Sequence, residues 1–260
     1  MKTASASVMA MIISVAVLMV MILLCMMLFY IHKKNSAKIF LLGMLGYFIP
    51  QVVIRYPLLS YMPMEMFSGM DGYTLIGLLS LSAALLETIG RYVVLRFLSK
   101  REQDKAVGII AGLGHGICEA IFLLGIMYLH NLFIIYLAQQ GTDSTQIRLV
   151  TSAIEQTPMH MFYFVLLERS LYIVVQVGLS VCIMQGILKK KRRTLIVIFL
   201  LHAALDAAVT LCSYHGVSAL YLDILIFVAA GSSAVYVWKV RYPKQEDKTD
   251  TVEKEETKEV

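Results

Sequence analysis

Residues Val107–Tyr128 read VGIIAGLGHGICEAIFLLGIMY, an unbroken apolar run with only two ionisable side chains, His115 and Glu119, four positions apart. About 20 apolar residues cross the hydrocarbon core of a bilayer, so the run predicts a transmembrane helix carrying a polar pair at depth. A charge there costs at least about 2.5–3.5 kcal/mol on insertion scales and needs a reason. Two further apolar stretches repeat the spacing, His202 with Asp206 and Glu87 with Arg91. Residues i and i+4 share a helix face, so each pair presents its two side chains to the same partner.

The surrounding composition agrees with a membrane protein. Of the 260 residues, 58% are hydrophobic and 16% charged, and the mean hydropathy is +0.73, which leaves no sizeable water-soluble domain. Seven runs are long enough to span, which predicts an all-α, polytopic membrane helix bundle in the cell membrane, one domain over residues 1–242. The run near the N-terminus, from Val8 to Tyr30, is too long for a signal-peptide core and reads as a retained anchor. Residues 243–260 are mostly Lys, Glu, Asp and Thr and predict a disordered, charged cytosolic tail.

The net charge of +5 is informative loop by loop. Lys33, Lys34 and Lys38 follow the first span, Arg96, Lys100, Arg101 and Lys105 the third, and Lys189 to Arg193 the fifth. The alternate connections hold almost no cations beyond Arg55 and Arg148, so the positive-inside rule places the N-terminus outside and the C-terminus in the cytosol. Basic residues spread over short loops do not make a nucleic-acid-binding face; the KKKRR run attracts anionic lipid instead. The four cysteines lie in or at the ends of spans and form no CxxC, which leaves neither a disulfide framework nor a thiolate zinc site.

Counting about 1.5 Å per residue from the cytosolic span ends brings Glu87, His115, Glu119, His202 and Asp206 into a slab about 10 Å thick near mid-membrane. Independent structural polar residues need not agree in depth. Imidazole beside carboxylate suits metal ligation, or the fixing of a histidine tautomer, and both serve hydrolytic chemistry. The glycines of Gly112-Leu-Gly114-His115-Gly116 thin their helix and admit a close neighbour. No strand precedes them and no Walker lysine follows, so they form no phosphate loop. Glu168 and Arg169 count closer to the outer surface and read as an ion pair or a lining. One shared site requires the five residues to converge on one point, with a solvent path to the cytosol.

The motifs Leu86-Glu87-Thr-Ile-Gly-Arg91-Tyr92, Gly-Leu-Gly-His115-Gly-Ile-Cys-Glu119-Ala, Glu168-Arg169 and His202-Ala-Ala-Leu-Asp206 resemble the YhfC family of intramembrane metalloproteases. That family is distantly similar to the CAAX-prenyl-processing and PrsW-type proteases, which pair an ExxxR helix with a His- or Glu-bearing helix and an HxxxN or HxxxD helix. The resemblance implies a metal-dependent peptidase acting on a membrane-associated peptide or protein. It gives Glu87 the activation of water, Arg91 its orientation or the anchoring of the cytosolic half of the helix, and His115 and His202 the binding of a metal, zinc, or the stabilisation of the oxyanion, with Glu119 and Asp206 ligating or orienting them. On this reading Glu87, Arg91 and Glu119 are catalytic, and His115, His202 and Asp206 hold the metal. The related proteases open their first motif with adjacent glutamates; here Leu86 and Thr88 flank Glu87, and Glu119 is the carboxylate available from the next helix. Two other classes account for buried polar pairs: a small ion-coupled transporter, or a non-enzymatic scaffold or sensor whose spans are joined by hydrogen bonds.

Overall fold

The computed structural model describes residues 2–32, 35–63, 65–99 and 104–240. Residues 241–260 and the loop cations Lys33, Lys34, Lys100 and Arg101 fall outside these ranges, and with them the expected cytosolic tail. The described residues form helices and no strand: α1 Lys2–His32, α2 Ser36–Tyr47, α3 Tyr56–Tyr61, α4 Glu65–Ser68, α5 Gly72–Leu98, α6 Lys105–Ala120, α7 Met127–Gln139, α8 Thr145–Gln156, α9 Met159–Leu188, α10 Arg193–Tyr214 and α11 Ala219–Lys239. Seven of the continuous helical segments are long and apolar enough to cross a membrane, matching the sequence count.

Two spans change their winding along their length. The second continues past Pro50 to Tyr61, and the fourth from Lys105 to Gln139, taking His130 into a helix. Each is carried through by a widened π-helical stretch, Phe48–Arg55 and Ile121–Ile126. Proline has no amide proton and its ring crowds the preceding turn; a wider turn accommodates Pro50 without ending the helix. The segment 139–158 contains α8, whose Ile147 and Ile154 are buried; Ser144 caps it by accepting from the Ile147 amide at 3.2 Å. Asp71 caps α5 in the same way, accepting from the amides of Tyr73 and Thr74 at 2.9 and 3.0 Å.

Helix α9 is the centre of the bundle: 61% of its most apolar window is buried, against 17% for α10 and for α11. Leu23, Val93, Leu201 and Phe227 face outward and are exposed, as lipid contact requires of a helix in hydrocarbon. The glycines of α6 work as the sequence predicts. Gly112 and Gly116 face α9, where an added Cβ would stand 2.7 Å from the Val177 Cα and 3.0 Å from the Ile173 Cα. Gly114 faces α2, where a Cβ would overlap the Phe40 carbonyl oxygen. Helix α6 is thereby clamped between α2 and α9, and the residues beside its glycines are held at fixed depth.

Candidate functional site

Helices α5, α6 and α10 bring their polar pairs to one point. The Glu87 Oε2 oxygen lies 3.2 Å from His115 Nε2 and 3.6 Å from His202 Nε2, and it accepts from Arg91 NH2 at 3.1 Å. The His202 Nε2 is also 3.6 Å from Asp206 Oδ2. Glu87, His115 and Glu119 each offer a ligand atom within 4.8 Å of the others, and all three are buried. The common depth read from the sequence is therefore matched by contact.

Three residues of the cluster escaped sequence reasoning. Gln176 of α9, fully buried, donates to Glu119 Oε2 and accepts from Arg91 NH2, so it bridges the two charges. Gln51, in the first π-helical stretch, donates to Glu87 Oε1 at 2.9 Å and to the Ala83 carbonyl at 3.0 Å. Tyr47 sets its ring edge-on to the His115 imidazole, with centroids 5.4 Å apart. A neutral amide inside an apolar run was the available signal for both glutamines. Arg169 also comes closer than counting suggests: it pairs with Glu168 and reaches Glu119 Oε1 at 3.5 Å.

Arg91 NH2 carries two protons but faces three acceptors, Glu87 Oε2, His115 Nε2 at 2.7 Å and Gln176 Oε1, while Arg91 Nε and NH1 have no hydrogen-bond partner. The Nδ1 atoms of His115 and His202 also lack partners. Buried polar atoms are normally satisfied, so this concentration of unmatched ones marks a place arranged for something besides helix pairing.

The donor set fits a small divalent cation. Bonds of about 2.0–2.1 Å in tetrahedral geometry place ligand atoms about 3.3 Å apart. The separations of 3.2 and 3.6 Å from Glu87 Oε2 to the two imidazole nitrogens bracket that edge. Imidazole nitrogen and carboxylate oxygen are the usual donors to zinc where thiolates are absent. The three ligand atoms that lie within 4.8 Å of one another are those of Glu87, His115 and Glu119, and a cation held by Glu87, His115 and His202 would require the two imidazoles to draw together.

A cleft of about 290 Å³ reaches the cluster, lined by Gln51, Arg55, Glu87, Glu119, Arg169 and Asp206 among others. Part of its wall comes from Ile76, Leu79, Ser80 and Ala83 on α5 and from Val209 and Thr210 on α10. All of these lie toward the Gly72 end of α5 and the Tyr214 end of α10, away from the Lys189–Arg193 turn. The solvent path expected toward the basic loops runs the other way. A cavity of about 470 Å³ on the basic face is lined by Tyr92, Arg96, Lys190, Lys191 and Arg192, and neither histidine nor either glutamate of the cluster belongs to it.

Comparison with known proteins follows the same lines. The family model described as YhfC intramembrane metalloprotease matches residues 16–227, which contain every residue of the cluster. A Bacillus subtilis (strain 168) protein named "Uncharacterized membrane protein YhfC" is 27% identical over 224 residues, covering 79% of this chain and 85% of that protein. No solved structure matches.

Proposed function

The chain belongs to the YhfC intramembrane metalloprotease family, and from that premise we propose that it is a metal-dependent peptidase cutting a membrane-associated peptide or protein within the bundle. The observation that carries the reading is the approach of Glu87 Oε2 to both imidazole nitrogens at tetrahedral-edge distances, at the end of a cleft.

His115, His202 and Glu87 are the residues proposed to hold the metal. Were zinc held there, it would supply Lewis acidity toward the scissile carbonyl and the attacking water. This moves Glu87 from the base role that the sequence motif implies to that of a ligand. Glu119 then becomes the base: its carboxylate lines the cleft, one oxygen held by Gln176 and the other by Arg169, so it can take the proton of a water entering there. Asp206, between His202 and the cleft, steers that imidazole. Arg91, behind Glu87 and away from the cleft, donates to the Glu87 carboxylate and to Gln176 and so positions the cluster.

The test separates ligand from base. Purified Glu87→Gln, His115→Ala and His202→Ala proteins should lose bound zinc, while Glu119→Gln should keep it. All four should lose the cleavages that the active chain adds to the new N-termini of its own membrane. Zinc retained by all of the first three, or lost from Glu119→Gln alone, would overturn these assignments.

A further inference from the structure

Glu87 lies 15 residues from the Gly72 end of α5 and 11 from the Leu98 end, roughly 22 and 17 Å along the axis, so the shorter route out leads to the basic face. That route is shut. Directly behind the cluster, Arg91 and His115 line, with Gly43, Gly46, Val94, Ala111 and Ser180, a void of about 10 Å³, and the larger cavity on the basic face reaches Tyr92 and Arg96 but no acid or histidine of the cluster. The void is at the lower limit for a single water, and no chain of waters or peptide passes through it. The closure is made of backbone: Ala111 sits against Gly43 and Phe40 against Gly114, so close that a Cβ at either glycine would overlap a carbonyl oxygen. Leu95, Ile110 and Ile183, with exposures of 0–1%, fill the layer beneath. The longer route, through the cleft past Ala83 and Thr210, is the open one.

We infer that the site is served only from the membrane face opposite the Lys189–Arg193 turn. Resting on the peptidase reading, the substrate is a membrane-bound segment that enters through the leaflet on that side and is cut near mid-membrane, at the depth of Glu87. With the basic turn cytosolic by the positive-inside rule, that leaflet is the outer one. A backbone-to-backbone seal cannot open by a side-chain flip, so the asymmetry belongs to the fold.

Single cysteines placed in a chain whose four native cysteines are replaced by alanine test the access directly. Ala83→Cys and Thr210→Cys line the open cleft, Val94→Cys lines the sealed void, and Lys190→Cys reports the basic face. A membrane-impermeant sulfonated thiosulfonate is applied to right-side-out cells and to inverted vesicles. Ala83→Cys and Thr210→Cys should be modified from the face opposite to the one that modifies Lys190→Cys, and Val94→Cys from neither. Modification of Ala83→Cys and Thr210→Cys from the same face as Lys190→Cys overturns the proposal. So does an Ala83→Cys that reacts from neither face yet reacts fully after denaturation. Mapping new N-termini in membranes with the unaltered chain against membranes with Glu119→Gln tests the substrate half: cuts should fall near mid-membrane in segments continuous with the face opposite the basic turn, and cuts at the membrane surface beside the basic turn refute it. Absence of any cut defeats the peptidase reading alone, because the labelling result stands without it.

Discussion

Replacing Gly114 by alanine should pull the cluster apart without touching any of its polar atoms. A Cβ at Gly114 overlaps the Phe40 carbonyl oxygen and stands 3.0 Å from the Phe40 carbonyl carbon and 3.1 Å from the Met44 nitrogen, all backbone. No rotamer relieves this, so α2 and α6 must part by on the order of 1 Å. Helix α2 cannot yield toward α5, because Gly46 and Gly90 already bring those backbones together and Pro50 packs against Gly90. The displacement therefore falls on α6 and on His115, the next residue, stretching its 3.2 Å approach to Glu87 to about 4 Å. Overpacking costs about 1–3 kcal/mol and the better helix propensity of alanine returns up to about 1 kcal/mol. Gly77 on α5 has nothing within 4 Å of an added Cβ, so Gly77→Ala receives the propensity gain without the clash and is the control. The expected results for Gly114→Ala in detergent are a lower Tm than Gly77→Ala, reduced zinc content, and cleavage down by on the order of 100-fold, the size of effect that a 1 Å misplacement produces. A Gly114→Ala protein that melts with Gly77→Ala and holds as much zinc would refute the idea that the α2–α6 contact sets the site.

Gln176→Leu keeps the volume of a fully buried side chain but strips Glu119 of a donor and Arg91 of an acceptor. Leaving buried partners unmatched costs about 1–3 kcal/mol, so the Tm should fall, and a Tm equal to that of the unaltered chain would show that the bridge is not formed. At the mouth of α5, the Thr74 hydroxyl and the amides of Thr74 and Tyr73 hold the Asp71 carboxyl below the usual carboxylate range. A carboxyl depressed by folding stabilises above its unfolded value, about 3.9, and loses that stabilisation as pH falls through the folded value. The Tm gap between the unaltered chain and Asp71→Ala should hold from neutral pH to about pH 5 and shrink on further acidification. A gap that widens in acid would reverse the sign and remove the cap.

The seven spans and the five residues at common depth were legible because hydropathy and helical rise are one-dimensional properties. What the sequence could not supply was lateral and directional. Counted along straight helices from the basic ends, Arg169 stands about 7 Å farther out than Glu119, yet the two side chains meet, because a guanidinium and a carboxylate on long stems close that gap. Gln51 and Gln176 carry no charge, and an amide in an apolar run does not announce its partner. The direction of the opening depends on which glycine meets which backbone: Gly114 reads as generic thinning, and only its pairing with Phe40, beside that of Gly43 with Ala111, shows that these contacts close one side of the site.

The same packing bears on the competing readings of the cluster. A scaffold that uses buried polar residues to join helices gains by satisfying each of them, since an unmatched buried donor costs about 1–3 kcal/mol. Here two nitrogens of Arg91 and one of each histidine are unmatched while three acceptors crowd the third Arg91 nitrogen, a poor arrangement for stability alone. A carrier needs its binding site to face both sides in turn, through parts that rock or unwind. In this bundle the barrier on the basic side is formed by α2, α6 and α9 in backbone contact, with α9 as the central helix, so opening it means dismantling the core. A hydrolase needs neither full pairing nor a second exit. It needs ligands that a metal can draw from their present partners, a rigid scaffold and one entrance, and the approach of Glu87 to His115 and His202 beside the cleft supports that reading.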